Sequence, residues 1–108
     1  MQKYEWSEEA LSVHSLIYIF VAGESRIQGI SDNRKTLLKQ ALALVGKLDS
    51  LIMDLDESSA LYEKHYLALF SILKQVNLDR LLKKQMAEKW GENCFFIELL
   101  QKGESLCV

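Results

Sequence analysis

Four side chains in this sequence could bind a soft metal or act as a nucleophile: His14, His65, Cys94 and Cys107. No two of them stand at the spacing that puts two ligands on one helical turn or one tight loop, so a zinc site is not expected. Cys94 would need a histidine base and an environment that favours thiolate. It stands instead at a helix start beside Phe95 and Phe96, a setting that reads as core. His65 lies on the inner face of its helix by spacing, which raises phosphotransfer on a helical bundle. That chemistry needs a nearby cation and room around the ring, and Ala68 and Leu69 stand three and four residues on. A histidine at the edge of the core is the expected reading.

Asp54, Asp56 and Ser58 occupy the first, third and fifth positions of a calcium-loop pattern. The sixth position requires glycine for its sharp turn and the twelfth a bidentate glutamate. Ser59 and His65 stand there, so the stretch reads as a polar helix end followed by a serine cap. Glu8-Glu9 and Asp54-Asp56-Glu57 lack the repeated Glu-x-x-His or Glu-x-x-Glu spacing of helical di-metal sites. There is no glycine-rich phosphate loop. No cofactor or metal is expected, and enzymatic activity is not expected either. An enzyme or small-ligand binder with a site near His65, using His14, Tyr18 or Tyr66, ranks third among the functional readings.

The charge pattern offers more. The formal net charge is −2, but residues 1–33 carry a net −3 and residues 74–89 a net +3. Lys74, Arg80, Lys83, Lys84 and Lys89 supply the basic stretch, and they are the candidate partner-binding residues. Segments 60–76 and 78–90 can be read as a helix-turn-helix on nucleic acid. The domain as a whole has no basic excess, and few side chains there could read bases. A patch for an acidic protein is the expected meaning; a nucleic-acid-associated regulator is the alternative.

These residues must be positioned by helices. Within 32–57, Leu38, Ala41, Val45, Leu48, Ile52 and Leu55 recur at alternating spacings of three and four. That pattern lines one side of an α-helix roughly 39 Å long. Leu37, Leu44 and Leu51 widen the stripe beyond what one partner helix can cover, so at least two helices should pack on it. Ser31 or Asp32 can cap its start. Its charges oppose the helix dipole, with Arg34, Lys35 and Lys39 at the N-terminal end and Asp54, Asp56 and Glu57 at the other. An antiparallel two-fold pair of these helices would offset that, which predicts a homodimer.

Ser7, followed by Glu8 and Glu9, reads as the start of the first helix. From Leu16 to Ala22 that helix is apolar nearly all round, so it should be the bundle centre or a dimer seam. Its end falls at Gly23 or as late as Gly29. Leu61, Tyr62, His65, Tyr66, Leu69, Phe70, Leu73 and Val76 line the next helix. Asn77 can cap a further one, with Val76 stapled on Leu81. Gly91 should stop it, unless one helix runs straight from Ala60 to Trp90. Asn93 then caps a short last helix closed by Gly103, with 104–108 loose.

The 108 residues are expected to form a single domain, 1–108. A chain this size buries roughly 65% of its unfolded surface, enough for its own core. Apolar residues make up 49% and charged residues 26%, and proline is absent. The fold expected is an all-α antiparallel bundle of four to five helices around the long central helix at about 32–57. The acidic N-terminus lacks the basic start of a signal peptide, and no apolar run spans a bilayer, so a cytoplasmic protein without membrane contact is expected. The favoured function is a small interaction module. A regulator, inhibitor, immunity protein, adaptor or chaperone would act by binding a partner protein.

Overall fold

The computed structural model describes residues 3–54, 59–92 and 94–106. The acidic run 55–58, Asn93 and Cys107 lie outside the described residues, and with them most of the calcium-like stretch. The described chain is an all-α bundle of five helices: α1 (Lys3–Ser25), α2 (Asp32–Asp54), α3 (Ser59–Gln75), α4 (Asp79–Trp90) and α5 (Phe95–Ser105).

The stripe on α2 is buried as its spacing predicts, with Leu38, Ala41, Val45, Leu48 and Ile52 all inside. The flanking Leu37, Leu44 and Leu51 are half-buried. α2 packs against both α1 and α3, so the width of the stripe matches two neighbours. Ser31 caps α2, its Oγ accepting the Arg34 N–H at 3.2 Å. α3 carries the other half of the core. Tyr66, Leu69, Phe70, Ile72, Leu73 and Val76 are buried where α3 meets α2, α4 and α5. The aromatic contacts run Phe70–Tyr66–Phe96, with ring centroids 5.9 and 5.4 Å apart.

Four expectations change. The first helix begins by Lys3, ahead of Ser7, because nothing in Lys3-Tyr4-Glu5-Trp6 breaks a helix. Its apolar run is not buried on every side either. Leu16, Ile17 and Val21 are inside, while Tyr18 and Ile19 are 55% and 64% exposed. The chain between 60 and 90 forms two helices, but Asn77 does not cap the second one. Asn77 adopts φ 63° and closes α3 instead. Its N–H donates to the Lys74 carbonyl at 3.0 Å and the next N–H, of Leu78, donates to Leu73 at 2.9 Å, the paired bonds of a Schellman stop. Asn takes the left-handed conformation at less cost than most residues, and Leu73 and Leu78 are both buried around it. Leu81, expected to staple onto Val76, is 45% exposed, while Leu82 one step on faces the core.

Gly103 is the fourth change. It does not end α5, which continues to Ser105, so Glu104 and Ser105 are ordered in its last turn. Instead Gly103 is the point where α5 touches α3. A Cβ there would lie 2.6 Å from Phe70 Cβ, 3.2 Å from the Leu67 carbonyl oxygen and 3.3 Å from the Ser71 nitrogen.

Candidate functional site

The structure gathers polar chemistry at two places. The first joins three helices inside the bundle. His14 of α1 bonds through Nδ1 to Asp49 Oδ1 of α2 at 2.6 Å, and through Nε2 to the Tyr66 hydroxyl of α3 at 2.6 Å. His14 and Tyr66 are buried, whereas the Asp49 side chain is 49% exposed. A neutral ring satisfies both bonds. Nδ1–H donates to the Asp49 carboxylate, and Nε2 accepts the Tyr66 hydroxyl proton. Burial holds His14 below its ordinary 6.5, outweighing the hydrogen bond and the charge of Asp49, which pull the other way.

Carboxylate, imidazole and hydroxyl in a row are the components of an acid–base relay. Here the ring nitrogen that would exchange protons faces the fully buried Tyr66. The two bonds make the row a polar tie between α1, α2 and α3. Outside it, an open pocket of about 320 Å³ is lined by His14, Ser15, Tyr18, Ile19, Val45 and Asp49. His65, placed on the inner face of its helix by spacing, lies half-buried on α3. Asp49 went unrecognised in the sequence. The signal was present: His14 falls between Ala10 and Ile17 on the buried side of α1, and Asp49 between Val45 and Ile52 on α2. Two polar residues on the packed faces of neighbouring helices should find one another.

The second gathering is the basic stretch. Arg80, Lys83 and Lys84 line a groove of about 610 Å³ between α4 and α5, with Ala87, Glu88, Glu92, Ile97 and Gln101. The five candidate residues therefore divide. Lys83 lines the groove but also pairs with Glu104 at 3.2 Å. Lys74 lies outside the groove lining and donates to the Glu104 carbonyl oxygen at 3.0 Å. Lys89 sits 5.8 Å over the Trp90 ring. Arg80 and Lys84 remain exposed on the groove rim. Glu104 is itself pushed above the ordinary carboxylate range, first by the hydrogen bond it shares with Asp79 and then by burial, against the pull of Lys83.

Cys94 is buried at the N-terminal cap of α5, and its thiol donates to Glu9 Oε1 at 3.5 Å. Burial raises its pKa, the neighbouring Glu9 adds to that, and backbone N–H groups of Phe96 and Ile97 only partly oppose it. A thiol held protonated is a poor nucleophile. In native buffer Cys94 is expected to react with a thiol-exchange reagent only on the timescale of opening. It should react at the free-thiol rate in denaturant, with mass spectrometry to assign the label.

The positive N-terminal end of α2 also finds a structural reason. Arg34 pairs with Glu24 of α1 at 2.5 Å and donates to the Val76 carbonyl at 2.6 Å. It fastens the end of α1 and the end of α3 to α2, which outweighs a few tenths of a kcal/mol of unfavourable dipole interaction. Among the described residues no helix is long and apolar enough to cross a membrane. Comparison with protein-family models, with curated proteins and with solved structures finds no match to this chain.

Proposed function

We propose that this chain is a small cytosolic protein-binding module that works by occupying a partner's surface, without catalysis or cofactor. It would serve as a regulator, inhibitor, immunity protein, adaptor or chaperone. The observation that supports this is the groove between α4 and α5. Arg80 and Lys84 stand exposed on its rim, and Ala87 and Ile97 add apolar lining. An amphipathic helix with an acidic flank fits such a groove. Its apolar side chains would cover Ala87 and Ile97 while its carboxylates meet the rim cations. Glu88 and Glu92 line the same groove. They would repel a phosphate backbone but suit a protein segment of mixed charge, which favours a protein over nucleic acid. Pairing with a second copy belongs to this reading too.

The test compares wild type with Arg80→Glu/Lys84→Glu in pull-downs from the native cell, with captured proteins identified by mass spectrometry and then purified for titration. The double reversal should weaken the captured partner at least about tenfold, roughly 1.4 kcal/mol. Its melting temperature should stay at the wild-type value, since both side chains are exposed. A random DNA duplex bound by wild type in a salt-dependent way, and released by the same variant, would replace this reading with the nucleic-acid one.

A further inference from the structure

We propose that two copies of this chain pair through the outer face of α1 and the adjoining edge of α2, around a two-fold axis near Ile19. This rests on the reading that the protein acts as a pair, and it names the surface. Ile19 and Tyr18 are 64% and 55% exposed, and Leu11 two turns away on the same side is 40% exposed. Large apolar side chains grouped on one helix face mark an interaction surface.

Charge identifies the occupant as a second copy. The His14–Asp49 bond and the Glu24–Arg34 pair show that α1 and α2 run antiparallel. Ile19 lies midway between His14 and Glu24. Asp49 faces α1, and Leu42, Lys39 and Lys35 share that side of α2 by heptad spacing. The face thus has an apolar middle, exposed Lys35 and Lys39 toward one end, and the half-exposed Asp49 toward the other. A two-fold axis through the middle turns the basic end of one copy onto the acidic end of the other. It also covers Ile19 and Tyr18 with their own counterparts. The long α2 helices do not meet stripe to stripe, because α1 and α3 already occupy that stripe.

Sedimentation of the intact chain at tens of micromolar should show a dimer. Ile19→Asp should weaken it about thirtyfold or more while leaving the far-ultraviolet spectrum unchanged. A second readout does not depend on that variant. In a Cys107→Ser background, Ile19→Cys should cross-link to itself under mild oxidation, and Lys64→Cys, exposed on α3, should not. A dimer indifferent to Ile19→Asp, with no cross-link through position 19, overturns the proposed face and leaves pairing by another surface. A monomer at these concentrations overturns the pairing itself. Neither result bears on the α4–α5 groove, which the charge reversal tests separately.

Discussion

Gly103→Ala is expected to lower stability by about 2 kcal/mol, seen as a fall of roughly 10 °C in melting temperature. The sign runs against the ordinary rule. Alanine in place of glycine inside a helix usually stabilises it by about 0.5–1 kcal/mol, because glycine has more freedom to lose on folding. At Gly103 the added methyl would stand 2.6 Å from Phe70 Cβ, and its other neighbours are backbone atoms of Leu67 and Ser71 that cannot rotate away. α5 must then move off α3, loosening Phe70 and Phe96 at the centre of the core. Gly46 supplies the control. It lies in α2 with nothing within 4 Å of its would-be Cβ, so Gly46→Ala should stabilise by up to about 1 kcal/mol. Two identical substitutions with opposite effects separate crowding from helix propensity. If Gly103→Ala melts at or above wild type, the close α3–α5 approach is wrong.

Tyr66→Phe is expected to cost about 1–3 kcal/mol although it removes a single oxygen, because it leaves the buried His14 Nε2 without its donor. The same tie makes stability depend on pH. Burial sets the folded pKa of His14 below 6.5. The unfolded chain therefore takes up that proton first as pH falls, and protonation favours unfolding. His14 contributes its full stability above 6.5, loses it as pH drops from there through the folded value, and changes nothing further below. A protonated ring would also present an N–H to the Tyr66 hydroxyl, which would have to turn its own proton away. Glu104 acts in the opposite sense. Its folded pKa is raised, so the native state binds that proton first, and its contribution improves as pH falls through its folded value. Denaturant midpoints followed from neutral pH to about pH 5 should decline for wild type and show a shallower slope for His14→Gln. Equal slopes would mean that His14 is not the titrating group.

The turn at Asn77 and the glycine at 103 show where reading the sequence stopped short. Asn77 is punctuation of the other kind, a helix end and not a helix start, and Gly103 is not punctuation but a contact point inside α5. Asn can cap a helix start through its side chain or close a helix end through a left-handed backbone. Which occurs depends on whether Leu78 can reach back to Leu73, a question of packing. Glycine near a helix end reads as a stop unless another helix lies against it, and no local pattern reports that neighbour.

The sequence by itself determined that the chain is all-helical, that a cap stands at Ser31 or Asp32, and how wide the α2 stripe is, and hence a bundle in which α2 needs two partners. These follow from spacings of three and four and from local capping, which act within one or two turns. Only the tertiary structure decided which polar residues meet. His14, Asp49 and Tyr66 are separated by 35 and 17 positions in the chain yet form one hydrogen-bonded row. It likewise chose Arg80 and Lys84 as the free cations of the basic stretch while tying Lys74 and Lys83 to Glu104. Exposed Ile19 in a run that is apolar all round was settled the same way. Side-chain chemistry sets what each residue can do. The directions in which helices pack set what it does it with.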